Sequence, residues 1–284
     1  MTRTKLSIKW ALSLLAVLYC VSLNAATVSS FMSYSDVGEG EPLVLIHAFP
    51  TDERLWEPQR AGLKQHFRVI TLDLFGFGKS APVDGHAVTM IDYADGVKQL
   101  LDQLHIEKAI IGGESMGGYI ALAFLEKYPD SVSGLILSDT QSIADTDATK
   151  AKREATAVDV LENGTDKFIN GFKPKALSPL ASEQTRLMLQ NMLASQSPSA
   201  VASALRGMAL RTDTSNVLAN TQLPILIMTG DQDILISPEQ SQNMHLLAKN
   251  SKLITITNAG HLSSLEQPEQ WNQAVIDCYL NATP

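Results

Sequence analysis

One serine of this chain lies in a sequence context suited to a nucleophile. The pentapeptide Gly113-Glu114-Ser115-Met116-Gly117 follows an apolar run at residues 109–111 and precedes an alanine-rich helical pattern at residues 119–127. A strand, a sharp turn and a helix in this order raise a serine hydroxyl above the end of a sheet. Glycines two residues to either side remove side chains that would collide with such a turn. An ordinary glycine-rich turn is the alternative, but the flanking patterns favour Ser115 as a nucleophile.

A histidine far downstream is the candidate base for this serine. His261 follows the apolar run at residues 253–256 and precedes a helix predicted to begin near Pro268. A neutral imidazole in such a strand-end loop can accept the proton of a serine hydroxyl. The other histidines are scattered without metal-ligand spacing, so we predict no metal site. They are His47, His66, His86, His105 and His245.

The acid that would orient this histidine has three candidates. Asp231 and Asp233 lie in the turn after the buried-strand pattern at residues 225–229, and Asp139 follows the strand pattern at residues 135–138. Each position places a carboxylate at the end of a predicted strand, downstream of the serine and upstream of the histidine. The residues alone therefore leave the choice of acid open.

Taken together, these motifs resemble the α/β-hydrolase superfamily over almost all of the chain after its N-terminal segment. The octapeptide Asp73-Leu74-Phe75-Gly76-Phe77-Gly78-Lys79-Ser80 matches the family's Asp-x-x-Gly-x-Gly-x-Ser turn. Ser115-Met116-Gly117-Gly118 and His47-Ala48-Phe49-Pro50 are similar to the branch of small esterases, enol-lactonases and cofactor-free haloperoxidases. The resemblance implies serine chemistry on an α/β fold: a mostly parallel central sheet with helices on both faces and a helical cap inserted after the sixth strand.

The resemblance also implies roles for particular residues. The family places its acid three residues after a strand-end glycine, here Gly230, which favours Asp233 over Asp231 and Asp139. The oxyanion of the reaction would be held by two backbone N–H groups. These are the N–H groups of Met116 and Phe49. At the second position the family usually has His-Gly, whereas this chain has His-Ala.

The order of predicted elements divides the chain into a core and an insertion. Strand and helix patterns alternate from residue 28 to residue 138, stop for a helical insert, and resume from residue 225. We therefore predict an α/β-hydrolase core at residues 26–140 and 220–284, with a helical cap at residues 141–219. Such a cap would close the pocket over the serine.

The predicted cap contains aromatic and methionine side chains at helical spacing, and these either line a pocket or form the cap's own core. They are Phe168, Phe172, Met188, Met192 and Met208. Helical spacing of this kind is typical of packing, so we interpret them as cap core. Since no long hydrophobic lid is evident, we expect a preference for short to medium acyl chains.

The net charge and the N-terminal residues indicate an exported protein that does not bind nucleic acid. The chain has 284 residues, 45% of them hydrophobic, and a formal net charge of −8, which disfavours binding to nucleic acid. Residues 1–25 have a basic start, an apolar stretch too short to span a bilayer and a small-residue end. This pattern predicts a signal peptide and a periplasmic or secreted protein without a membrane span after cleavage. An uncleaved N-terminal membrane anchor is the alternative.

The predicted function is hydrolysis of carboxylic esters of small molecules by a cofactor-free serine enzyme. Lactone opening, C–C bond hydrolysis and perhydrolysis would use the same residues, because one fold hosts many reactions. A non-catalytic ligand-binding relative is the alternative from another class of protein. A broken triad would favour that alternative, but Ser115, Asp233 and His261 are all present.

Overall fold

Seven strands form one sheet in the computed structural model, which describes residues 31–281. The predicted signal peptide at residues 1–25 lies outside the described residues. The strands are β1 (Tyr34–Val37), β2 (Pro42–Ile46), β3 (Arg68–Leu72), β4 (Ala109–Glu114), β5 (Val132–Ser138), β6 (Ile225–Gly230) and β7 (Ser251–Ile256). Their order across the sheet is β1-β3-β2-β4-β5-β6-β7. Only β1 runs antiparallel to its neighbour, so among residues 31–281 the sheet is mostly parallel, as predicted.

Helices cover both faces of this sheet. They are α1 (Glu57–Leu63), α2 (Met90–Gln103), α3 (Met116–Lys127), α4 (Asp147–Asn163), α5 (Asp166–Ala176), α6 (Glu183–Ala194), α7 (Pro198–Ala209), α8 (Ser215–Asn220), α9 (Pro238–Leu247), α10 (Ser263–Glu266) and α11 (Pro268–Tyr279). Every residue of β4 and β6 is buried, because strands covered on both faces have no solvent side. The sequence prediction of an α/β fold is confirmed.

The core consists of two apolar layers, one on each face of the sheet. One layer joins α2 and α3 to the sheet and to helices of the insert. The other joins α1 and α11, where the rings of Trp56 and Trp271 pack with centroids 5.4 Å apart. The large buried aromatic surface of these two residues holds the C-terminal helix, and with it the loop of His261, against the sheet.

Helix α2 shows how local sequence produces these elements. Thr89 accepts a hydrogen bond from the Asp92 N–H, and the Asp92 carboxylate accepts one from the Thr89 N–H, which is a capping box. Ala94, Val97 and Leu101 repeat at helical spacing and are buried, which is the core packing that this stripe predicts. The cap and the stripe therefore fix the start and the inward face of the helix.

Five helices, α4 to α8, lie between β5 and β6. The strand before them, β5, is the fifth strand among the described residues, whereas the sequence analysis predicts that the cap follows the sixth strand. Met192 and Met208 are buried inside this insert, and Phe168, Phe172 and Met188 are partly buried against the core layers. Within residues 31–281, no helix has both the length and the apolar character needed to cross a membrane.

Candidate active site

Ser115 lies in a sharp turn between β4 and α3. Its backbone has φ 55° and ψ −115°, a region that residues with side chains seldom occupy. A Cβ added to Gly113 would lie 2.1 Å from the carbonyl carbon of Gly117, and one added to Gly117 would lie 2.1 Å from the carbonyl oxygen of Ile46. Both glycines are therefore required by close backbone approach, and the turn has the shape of a nucleophile elbow.

Three side chains from separate strand ends meet at this turn. The Nε2 atom of His261 lies 2.8 Å from the Oγ atom of Ser115. The Nδ1 atom of His261 lies 2.8 Å from the Oδ2 atom of Asp233. All three residues are buried, and Ser115 is the most exposed of them at 8%. Since the carboxyl ends of parallel strands share one edge of the sheet, residues far apart in sequence become neighbours here.

Hydrogen bonding fixes the protonation pattern of these groups. The carboxylate of Asp233 also accepts hydrogen bonds from the Leu235 N–H at 2.8 Å and the Ile236 N–H at 3.0 Å. An ionised Asp233 accepts the hydrogen of His261 Nδ1, which leaves Nε2 free to accept the hydroxyl proton of Ser115. Burial lowers the pKa of His261, but the charge and hydrogen bond of Asp233 outweigh it, so the pKa lies above its ordinary value of 6.5.

The structure separates the three predicted acids. Asp231 is exposed, and its carboxylate accepts a hydrogen bond from the Ala259 N–H at 3.2 Å instead of meeting the imidazole. Asp139 is buried, but its carboxylate is bonded to the Gly230 N–H and to serine hydroxyls. Of the three, Asp233 alone has a hydrogen bond with His261 in the described residues.

The predicted oxyanion donors lie on two segments, the start of α3 and the loop after β2. Met116 is the first residue of α3, and the N–H groups of a first helical turn have no acceptor within the helix. Phe49 follows β2, and its ring packs against Phe77 with centroids 6.4 Å apart. Ala48 is not among the positive-φ residues of the described chain, so alanine fits where the resemblance implies glycine.

A buried histidine holds the loop that carries Phe49. The Nδ1–H of His47 donates to the Ala48 carbonyl at 2.9 Å, and its Nε2 atom accepts the Leu74 N–H at 3.1 Å. Burial lowers the pKa of His47, so the ring is neutral and both nitrogens are occupied. This side chain therefore joins the ends of β2 and β3 beside the candidate site.

Sequence reasoning did not identify the polar residues that support the His261 loop. Both carboxylate oxygens of Glu114 accept hydrogen bonds from Ser264, and Asp139 accepts one from Ser263. On the other side of the loop, Glu266 accepts the Gly260 N–H at 2.7 Å. The sequence signals for this network were two carboxylates at the ends of apolar strand patterns, Glu114 and Asp139, of which Asp139 was considered only as a candidate acid.

The insert contacts the loops of the candidate site at two points. The ring of Phe168 in α5 lies 5.6 Å from the ring of Phe49. At the end of the same helix, the carbonyl of Ala176 accepts the Leu262 N–H at 3.1 Å, directly after His261. One helix of the insert thus contacts both the candidate oxyanion loop and the histidine loop.

Known proteins are similar to this chain over most of its length. The family model for the alpha/beta hydrolase fold matches residues 41–268. The structure of a thermophilic esterase from Thermogutta terrifontis is 35% identical, with a TM-score of 0.84, covering 87% of this chain and 92% of that one. A 3-oxoadipate enol-lactonase of Acinetobacter baylyi is 30% identical over 81% of this chain and 85% of its own length. The (E)-2-((N-methylformamido)methylene)succinate hydrolase of the same species is 29% identical over 88% of this chain and 94% of its own length.

Proposed function

The chain is a hydrolase of the alpha/beta hydrolase fold family, and from that premise we propose that it cleaves carboxylic esters of small molecules through an acyl-enzyme on Ser115. The observation that carries this proposal is the chain of two 2.8 Å hydrogen bonds from Ser115 through His261 to Asp233. Nucleophile, base and orienting acid have the geometry that activates a serine. The esterase likeness at 35% identity supports the same reaction class.

In the first half of the proposed reaction, His261 Nε2 takes the hydroxyl proton as Ser115 Oγ attacks the ester carbonyl. The N–H groups of Met116 and Phe49 hold the oxyanion that forms, and Asp233 stabilises the charged imidazole. The imidazole then gives its proton to the departing alkoxide, which leaves as an alcohol. Ser115 remains as an acyl ester.

In the second half, a water molecule replaces the alcohol. His261 removes a proton from the water, whose oxygen attacks the acyl carbonyl, and the oxyanion is held by the same two N–H groups. Collapse of this intermediate breaks the bond to Ser115 Oγ, which regains its proton from the imidazole. The carboxylic acid is released and the serine is regenerated.

Lactone opening is the second candidate function. It is favoured by the likeness to a 3-oxoadipate enol-lactonase, and it uses the same residues because a lactone is a cyclic ester. The difference lies in the leaving group, which stays attached to the acyl chain. A purely ligand-binding role is disfavoured, because such a role does not require a serine and a histidine at hydrogen-bond distance.

The test of this function is a panel of nitrophenyl esters from acetate to palmitate, run with lactones and beside the Ser115→Ala variant. We expect turnover of short and medium esters and a loss on the order of a millionfold in the variant. The contact of Phe168 with Phe49 supports the expectation of short chains, since it places an aromatic ring of the insert against the residue whose N–H is the proposed oxyanion donor. If the Ser115→Ala variant kept activity within about tenfold of wild type, the proposed serine mechanism would be wrong.

We also propose that the protein is exported, with residues 1–25 acting as a signal peptide or as an N-terminal anchor. The basic start and the short apolar stretch of this segment support the proposal. The mass of the protein recovered from the periplasm distinguishes cleavage near residue 25 from an intact anchor. Recovery of the full chain only from the cytoplasm would contradict export.

A further inference from the structure

Two buried carboxyl groups brace the loop that carries His261. We propose that Glu114 and Asp139 together position His261 by anchoring Ser263 and Ser264, which follow it closely in the chain. This inference rests on the proposed function, since it assigns the pair a part in setting the distance from His261 to Ser115. Neither residue touches the reacting atoms, so both are positioning residues.

Glu114 connects the nucleophile turn to the histidine loop. Its Oε1 atom accepts the Ser264 N–H at 3.1 Å, and its Oε2 atom accepts the Ser264 hydroxyl at 2.8 Å. Glu114 is fully buried and directly precedes Ser115. Two hydrogen bonds from one residue fix both the position and the direction of the loop, as bidentate contacts do.

Asp139 connects the same loop to the turn that carries Asp233. Its Oδ1 atom accepts the Gly230 N–H at 2.7 Å, and its Oδ2 atom accepts the Ser138 hydroxyl at 2.9 Å and the Ser263 hydroxyl. Asp139 has φ 49°, a left-handed conformation that aspartate adopts at some cost. Its contacts with Gly230 and Ser263, which lie in two other segments, compensate for that cost.

The two carboxyl groups are linked through neighbouring residues of one loop, since Glu114 is bonded to Ser264 and Asp139 to Ser263. Burial, together with the charge of Asp139, raises the pKa of Glu114 well above its usual range. Burial, together with the charge of Asp233, raises the pKa of Asp139 to about 7.

The Glu114→Ala variant tests this role. Without the two bonds to Ser264 the histidine loop loses one anchor, and we expect kcat to fall on the order of 100-fold with KM within about threefold of wild type. The Glu114→Gln variant should restore most of kcat, because its amide oxygen accepts the Ser264 N–H and its NH₂ group donates to the Ser264 hydroxyl oxygen. Kinetics on a short nitrophenyl ester measure both variants, with thermal unfolding recorded to confirm folding.

Asp145→Asn is the matched control. Asp145 is also a buried carboxylate, with 3% of its side chain exposed, but it pairs with Arg153 and Arg211, away from the histidine loop. Its substitution should lower stability and leave kcat unchanged. If Glu114→Ala does not fold, Ser264→Ala removes one of the two bonds from the other side and should lower kcat by a smaller factor.

The outcomes separate this inference from the proposed function. If Ser115→Ala is inactive and Glu114→Ala has the kcat of the wild type, only the positioning role of Glu114 is overturned. Equal losses of kcat in Glu114→Ala and Asp145→Asn would also overturn it, since a general loss of stability would then explain both. An active Ser115→Ala variant would overturn the proposed function and this inference together.

Discussion

At the residue scale, the candidate site depends on one histidine that faces a serine with one nitrogen and a carboxylate with the other. Both distances are 2.8 Å. Asp233 is held in turn by two backbone N–H groups, which align its carboxylate with the imidazole. Chemistry at this site should therefore be far more sensitive to Asp233 than to the other strand-end aspartates.

Asp233→Asn should lower kcat by about four orders of magnitude, because the amide favours the wrong tautomer of His261. Asp231→Asn should cost far less, since Asp231 is exposed and its carboxylate accepts a hydrogen bond from the Ala259 N–H, away from the imidazole. Asp139→Asn should also cost far less than Asp233→Asn. Steady-state kinetics of the three variants compare them directly. If Asp139→Asn lowered kcat more than the other two substitutions, Asp139 at the end of β5 would be the acid.

The pH profile reports the same histidine. His261 must be neutral to accept the serine proton, and Asp233 keeps its pKa above 6.5 despite burial. Activity should therefore be lost as pH falls through a value above 6.5 and should rise toward mildly alkaline pH. The measurement is kcat/KM against pH for a short-chain ester, over the range in which circular dichroism shows an intact fold. A maximum near about pH 4 would mean that no neutral histidine is required.

The sequence indicates Ser115 and His261 because each lies in a short pattern with a physical reason behind it. It could not identify Asp139 and Glu114 as supports of the loop. Their partners, Ser263 and Ser264, lie more than 120 residues away in the chain, and only the parallel sheet brings them together. Hydrogen bonds of this kind depend on tertiary position and leave no periodic signal.

At the scale of elements, the nucleophile turn depends on how closely α3 approaches β2. Gly117→Ala places a Cβ 2.1 Å from the carbonyl oxygen of Ile46, and backbone cannot move aside as a flexible side chain can. We expect a loss of stability of several kcal/mol or a loss of soluble protein, because overpacking of this kind displaces the backbone. Chemical denaturation measures the change.

Gly171→Ala is the matched control for that variant. Gly171 lies inside α5, and nothing lies within 4 Å of an added Cβ. The substitution should raise stability by about 0.4–1 kcal/mol by restricting the unfolded chain. Equal effects at Gly117 and Gly171 would show that the turn has no special need for glycine.

Helices and strands were predictable from the sequence where pattern and burial agree, as in α2 with its capping box and buried stripe. The insert was predictable as helical, but not the way it meets the core. The side chain of Gln196 at the end of α6 donates to Asp52 at 2.9 Å, and Phe168 packs on Phe49. Both are contacts between distant segments, which helical spacing alone does not specify.

At the scale of the whole molecule, helix α5 of the insert contacts both the loop of Phe49 and the loop of His261. Phe168→Ala should open space beside Phe49 and raise kcat/KM for longer acyl chains relative to acetate. The gain should be a fewfold per methylene, from about 0.8 kcal/mol for each CH₂ that becomes buried. Phe172→Ala is the control, because its ring packs on Phe168 rather than on Phe49. If kcat/KM depended on acyl chain length in Phe168→Ala as it does in the wild type, the acyl group would not bind beside Phe168.

Covalent labelling of Ser115 is the most direct test of the central claim that this chain is a serine hydrolase. The folded protein is incubated with a fluorophosphonate probe, and its intact mass and labelled peptide are measured. We expect one adduct, located on Ser115, whose formation is lost in Ser115→Ala and slowed at a pH below the pKa of His261. A folded protein that takes up no label, or takes it up equally in Ser115→Ala, would contradict the claim.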